Sequence, residues 1–294
     1  MAYNEATLFM VRRISIFSMT FAVLFAFFSC NKEGVYNPKK KIAKIEYTES
    51  NGRVHFETWK WNKKQLESIT EDKFVINFEY DKKSRIEKAT FLGGSVSYIY
   101  TGNELTKMDS YDNDFLSATY EFEHTKSQIT KITVTIHSQV KASSQMQAAL
   151  SLVLPQTTCN NVEQFLQKTA EEKQQKAGEP FVYAIELTWD GKNVVKEVYP
   201  DKTIDYTYDE NNNPFYDSFK DVVNSNLSGL SQNNVVVSKT YQKNEYVITN
   251  TYTYSYDKKK YPMEVKCKSV EAYKGIEDGS ATILNTSKKY EYVE

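Results

Sequence analysis

Phe78-Glu79-Tyr80-Asp81-Lys82-Lys83-Ser84-Arg85-Ile86-Glu87-Lys88-Ala89 decides how this chain folds. Two rings separated by one polar residue fall on the same side of an extended strand, because side chains alternate faces with period two. The aspartate that follows can hydrogen-bond its own backbone and start a turn. Ile86 and Ala89 then begin a return strand. Upstream, Phe74 and Ile76 share the ring side, while Asn77 and Glu79 are polar. This pattern is a β-hairpin with one dry face and one wet face.

The unit recurs. It reads Trp59-Lys60-Trp61-Asn62 with Leu66 and Ile69, then Tyr98-Ile99-Tyr100-Thr101 with Leu105 and Met108, then a weaker Tyr120-Glu121-Phe122-Glu123 with Ile129 and Ile132. After a gap come Leu187-Thr188-Trp189-Asp190 with Val194 and Val198, Tyr206-Thr207-Tyr208-Asp209, and Tyr254-Ser255-Tyr256-Asp257. The second rings of neighbouring copies stand 19, 20, 22 and, later, 19 residues apart. Tandem self-similarity at such a period means one supersecondary unit repeated, with burial supplied by its neighbours. Gly102 and Gly191 sit in the turns, where a positive φ costs a glycine little. The expected fold is all-β: an antiparallel meander of repeated β-hairpins, forming a strongly curved or closed barrel-like sheet with short helical insertions. Each buried ring contributes roughly 1.5–3 kcal/mol.

Two stretches break the alternation. In residues 143–178, Met146, Ala149, Leu150 and Val153 recur at helical spacing until Pro155, and Asn161 can cap a second helix bearing Val162, Phe165 and Leu166. In residues 214–230, Phe215, Phe219, Val222 and Val223 show the same spacing. These stripes plug an open end of the sheet or border a ligand cleft.

The amino terminus carries an address. Arg12 and Arg13 precede an apolar block, Ile14 to Phe28, and Ser29-Cys30. A basic n-region, a short h-region and a small residue before the cut define a secretory signal; a membrane span needs roughly 20 apolar residues. Ala26-Phe27-Phe28-Ser29-Cys30 resembles a bacterial lipoprotein box, with Phe27 where leucine is usual. The resemblance implies acylation of Cys30 as the first mature residue, and the lack of an aspartate after it implies the outer membrane. The expected layout is a signal peptide at 1–29, a lipidated flexible tether at 30–41 that includes Lys39-Lys40-Lys41, and one repeat-built β domain at 42–294.

Removing Arg12, Arg13 and Glu5 from 37 basic and 38 acidic residues leaves 35 and 37, a net charge of −2. Interspersed signs leave no basic face for nucleic acid. Tyr (22) and Phe (16) outweigh Gly (10) and Pro (6), which favours regular strands. Cys159 and Cys267 remain once Cys30 is assigned, and an oxidising envelope permits a bridge between them.

The copy Tyr80-Asp81-Lys82-Lys83-Ser84-Arg85-Ile86 resembles the YD repeat of bacterial envelope and Rhs-type proteins, with Ser84 in place of glycine. Tyr208-Asp209 and Tyr256-Asp257 are each followed by proline five residues after the aspartate, at Pro214 and Pro262. With the lipoprotein box, this is similar to a family of uncharacterised Bacteroidetes surface lipoproteins described as porin-like in fold. The resemblance implies a shape and an address, and no catalytic residue.

Trp59 and Trp61 are the candidate ligand-binding residues, since ring platforms stack on sugars, although they and Trp189 occupy ring positions of the repeat where core packing is the default. Val54 and Phe56 fall on the parity opposite to Trp59 and Trp61. Either a bulge near Glu57 and Thr58 restores the register, or the tryptophans face solvent. His55, His124 and His137 are scattered, so neither a metal nor another cofactor is expected. Asp81, Asp190, Asp209 and Asp257 recur at turn starts, which gives them a turn role. In the last hairpin, Thr249, Thr251, Thr253 and Ser255 make the second side hydroxylic, unlike a lipid-facing band, so the domain is expected to be soluble. The expected function is a noncatalytic binding or scaffold module at the cell surface, held by outer-membrane lipid through Cys30 and acting on a glycan or protein partner. The alternatives are a glycan-active hydrolase with an acidic pair from separate strands, and a purely structural envelope component.

Overall fold

In the computed structural model, residues 33–137, 180–216, 227–242, 246–273 and 281–293 are described. The signal peptide, Cys30, Cys159, the 143–178 insertion and most of the 214–230 insertion lie outside them; from the second insertion they include a turn at 214–216 and a 3-10 helix at Leu227–Leu230. The strands begin with β1 (Ile42–Thr48), β2 (Val54–Asn62), β3 (Gln65–Glu71), β4 (Phe74–Tyr80), β5 (Ile86–Phe91) and β6 (Gly94–Thr101). They continue with β7 (Glu104–Asp112), β8 (Phe115–Thr125), β9 (Gln128–Ile136), β10 (Phe181–Asp190) and β11 (Asn193–Val198). The rest are β12 (Lys202–Asn212), β13 (Asn233–Gln242), β14 (Tyr246–Tyr256), β15 (Pro262–Tyr273) and β16 (Thr282–Tyr292). Each pairs antiparallel with the next, and β16 pairs with β1, so the sheet closes as a barrel.

Eight ring-bearing units build this barrel among the described residues, one more than the tandem copies in the sequence. In each unit two inward residues of one strand face two inward residues of the next. Trp61 and Trp59 face Leu66 and Ile69; Tyr80 and Phe78 face Ile86 and Ala89; Tyr100 and Tyr98 face Leu105 and Met108. The eighth unit is split between the ends of the barrel domain: Tyr292 and Tyr290 of β16 face Ile42 and Ile45 of β1.

The facing pair is three residues apart, which on an unbroken strand would put its members on opposite sides. A one-residue bulge solves this. The register slips between Lys60 and Trp61, Glu79 and Tyr80, Ile99 and Tyr100, Glu123 and His124, Thr188 and Trp189, and Ser255 and Tyr256. Each slip leaves one residue of the return strand unpaired, and Ile42 and Lys44 show the same slip at the seam.

The bulge also leaves a carbonyl that the ladder does not satisfy, and in six of the eight units the second ring of the next unit takes it. Tyr80 donates its hydroxyl to the Leu66 carbonyl at 2.8 Å, Tyr100 to Ile86 at 2.8 Å and Tyr292 to Pro262 at 2.7 Å. The Trp61 and Trp189 indoles donate to Ile42 and Ile129, each at 2.7 Å. Tyr208 donates to Val194.

Register corrects three readings of the sequence. In the fourth unit the ring positions are Phe122, facing Ile132, and His124, facing Ile129; Tyr120 lies one pair further along the strand. In the fifth, the residue facing Leu187 is Glu197 rather than Val198. In β2 no bulge occurs near Glu57 and Thr58, and the tryptophans do not turn outward. Val54 and Phe56 are the outward residues, 47% and 40% exposed, and the Lys44 ammonium lies 4.2 Å above the Phe56 ring.

The turns after the rings gather at one end of the barrel, here the aspartate end; the intervening turns mark the far end. Residues 33–41, expected as part of a flexible tether, are strapped across the aspartate end instead. Glu33 N–H donates to Asn103, Gly34 accepts from Ile86 N–H, and Tyr36, 2% exposed, donates to the Pro214 carbonyl at 2.7 Å. At Gly34 a Cβ would fall 2.0 Å from the Tyr100 hydroxyl, so only glycine fits. Lys40 pairs with Asp257 and lies 4.0 Å over Tyr292, so the lysine run is not simply solvated.

The outer wall is charged. Lys44 pairs with Glu291 at 3.4 Å, Lys60 with Glu67 at 2.9 Å and Lys289 with Glu46 at 3.1 Å.

Asp81 accepts from the backbone N–H groups of Lys83 and Arg85, and Asp257 from those of Lys259 and Tyr261, so both shape identical turns. Ser84 and Lys260 hold φ of 63° and 64° in them. Ser84→Gly and Lys260→Gly should each stabilise the barrel by about 0.5–1 kcal/mol in urea unfolding, by relieving left-handed strain. Ile45→Ala at the seam should cost about 2–5 kcal/mol, whereas Ile283→Ala, 53% exposed on β16, should stay within about 0.5 kcal/mol.

Candidate functional site inside the barrel

The residues that face the first ring of each unit are mostly apolar. Glu197 and Ser238, in neighbouring units, break the row. Glu197 faces Leu187 on β10 and Ile204 on β12, and it is 1% exposed. Tyr199 donates its hydroxyl to Glu197 Oε2 at 2.7 Å, and the Tyr206 hydroxyl also binds the carboxylate. Burial pushes the Glu197 carboxyl up to about 7, with the two phenols and Lys202 pulling partway back. Burial likewise lowers the Lys202 ammonium, against the charges of Asp201 and Glu197. That ammonium lies 4.6 Å from the centre of the Tyr199 ring. Burial and the adjacent carboxylate raise both phenols far above their ordinary value. The chemistry available here is proton storage: a buried carboxyl, bonded by two phenols, whose charge is poised near neutral pH.

A second polar cluster lies on β2 and β3. Glu57 stands directly opposite Glu71, two inward carboxylates on adjacent strands. Glu57 accepts from the Trp59 indole and from the Tyr47 hydroxyl at 3.5 Å. Glu71 lies 3.3 Å from His55 Nε2, and the His55 ring stacks on Tyr47 with centroids 4.9 Å apart. This is the acidic pair from separate strands that a hydrolase would draw on. Its members are already engaged by a tryptophan, a tyrosine and a histidine.

The two candidate tryptophans are brought together and turned inward. Trp59 is 4% exposed and packs on Tyr36 and Phe215, with centroids 6.2 and 6.1 Å away; Trp61 lies 6.2 Å from Trp59 and is half-buried. Trp189 is half-buried. His124 occupies the second ring position of its unit. Burial would lower its pKa, but the hydrogen bond and charge of Glu33 outweigh that and raise it. His137 lies 3.2 Å from Thr119, whose hydroxyl donates to Asp109 at 2.9 Å. Among the described residues no group of three His, Cys, Asp or Glu is placed to hold a metal. Asp209 accepts from the Asn211 and Asn234 N–H groups and from Tyr256, joining three strands.

The Glu197 cluster was missed by sequence reading, although its signal is present. Every facing pair with a known bulge is spaced by three, so the partner of Val194 is Glu197.

No protein-family model matches the chain, and no curated protein matches its sequence. A porin-like protein from Bacteroides uniformis is similar in structure, with a TM-score of 0.54, 13% identity, and coverage of 89% of this chain and 100% of its own. At that identity the likeness establishes the fold, a porin-like closed barrel.

Because folding favours the protonated Glu197, its contribution is complete below about pH 4.5 and is lost as pH rises through about 7. The full loss is roughly 3 kcal/mol. His124, with a raised value, gives a slope of the same sign through neutral pH. Denaturant titrations from pH 4 to pH 8.5 should show falling stability, and Glu197→Gln should remove most of the fall, leaving it more stable than the wild type at pH 8.5.

Proposed function

We propose that this chain is a noncatalytic binding or scaffold module of the outer membrane, anchored by lipid on Cys30, with its barrel standing in water. The observation that carries the reading is the charged outer wall. A lysine at the bilayer midplane costs about 2–4 kcal/mol, and exposed charges occupy the middle of strands around the barrel: Glu121 on β8, Glu186 on β10, Lys239 on β13, and Lys266 and Lys268 on β15. A wall of that kind is stable in water and expensive in hydrocarbon. The rings crowd the inside instead, and the strap crosses the aspartate end, which argues against a conducting pore. The far end and the wall are left for a glycan or protein partner.

A second reading, a glycan-active hydrolase, is favoured by one observation, the facing carboxylates Glu57 and Glu71. Turnover abolished by Glu57→Gln, with folding intact, would establish it.

The anchor and the wall make separable claims. Cells fed radiolabelled palmitate should label the wild type and leave Cys30→Ser unlabelled. The Cys30→Ser barrel should appear in the soluble fraction after an alkaline carbonate wash. Retention of that variant in the washed membrane would show a spanning barrel and overturn the reading.

A further inference from the structure

The outer wall carries one concave region whose chemistry differs from the rest. Across β14, β15, β16 and the end of β1 runs a groove of about 580 Å³. Its floor is built from outward residues in two cross-strand rows. One row is Thr251, Lys268 and Asn285; the other is Thr253, Lys266, Ser287 and Thr48. Strands stand about 4.8 Å apart and alternate outward residues roughly 6.8 Å apart, so donors repeat on a fixed lattice.

Three properties set this groove apart. Its lining contains no carboxylate, although the neighbouring row is Glu264, Lys289 and Glu46, two carboxylates around one ammonium that pairs with Glu46. Lys268 is exposed and has no ion-pair partner among the described residues, and Lys266 reaches its only such partner, Glu264, at 3.9 Å. The lining also lacks any aromatic ring. A neutral sugar in water relies on ring faces for much of its affinity, because its hydroxyls exchange water bonds for protein bonds at little net gain. Hydroxyl and amide donors around two cations suit a ligand that brings its own negative charge.

We propose that this groove binds an acidic oligosaccharide, with Lys266 and Lys268 pairing its carboxylates and the threonine, serine and asparagine side chains bonding its hydroxyls. The inference rests on the binding-module reading and names the ligand class for it. Exposed ion pairs are weak and screened by salt, so binding is of modest affinity and is strengthened by a chain long enough to cross several strands.

The test is isothermal titration of the purified full chain in detergent with a decameric oligogalacturonate, and with a neutral β-glucan oligosaccharide of equal length. Oligogalacturonate should bind at least tenfold more tightly than the neutral chain, and binding should weaken several-fold between 50 and 500 mM NaCl. The double variant Lys266→Gln, Lys268→Gln should lose about tenfold with an unchanged melting temperature. Lys60→Gln, Lys131→Gln removes the same charge elsewhere on the wall and should leave affinity intact. Equal binding of the two sugars, equal loss in the control variant, or no binding of oligogalacturonate would overturn the proposal. Recovery of a different glycan or of a protein partner in that last case would leave the module reading standing. Shortened products in the titration cell, with the groove variant impaired, would instead support the groove and overturn the noncatalytic reading.

Discussion

The single-residue bulge after each ring-bearing turn is the constraint on which this barrel depends. Without it, Leu66 and Ile69, or Ile86 and Ala89, would point to opposite sides and half the aliphatic core would lie in water. With it, the two ring positions and the two residues facing them form one inward block per unit, aromatic and aliphatic except at His124, Leu187, Glu197 and Ser238. The carbonyl that the bulge frees then becomes the acceptor for the next unit's second ring, so each unit is fastened to its predecessor by a side chain as well as by the ladder. The chain of fastenings continues across the seam, through Tyr292 to Pro262 and Trp61 to Ile42. In the seventh unit the first ring, Tyr254, takes the Val235 carbonyl while Tyr256 binds Asp209; at His124 the strap intervenes, and Glu33 binds both His124 and the Leu105 N–H.

Ring pairs, turn aspartates and period were legible in the sequence because each is written within a dozen neighbouring residues. Features set by the bulge were not. An extra residue in a strand inverts every later parity, so in-strand spacing points to Val198 where the structure has Glu197, and to Tyr120 where it has Phe122. The eighth unit was invisible for another reason. Tyr290-Glu291-Tyr292 has no return strand after it, and Ile42 and Ile45 have no rings before them. On β2 apolar character does not mark the inside: the polar Glu57 and His55 share the inner face with the tryptophans, and Lys44 lies over the outer phenylalanine.

A porin-like shape and a lipid-facing surface are separate properties. Closing sixteen strands fixes the former, while the alternation of side chains decides which face meets which solvent. Here rings crowd the inward face, and Lys44, Lys60 and Lys289 pair with carboxylates on the outward one. The same topology can therefore serve a water-filled conduit or a packed body, and the choice is made residue by residue along every strand.

The split unit has a consequence in time. Ile45 and Tyr290 meet across a sequence separation close to the length of the whole domain, so their pairing contributes the largest possible contact order. Until β16 arrives, β1 is an uncovered edge that offers its backbone to any passing strand. Assembly thus ends on its slowest step, and the interval before it is when this protein is most exposed to aggregation.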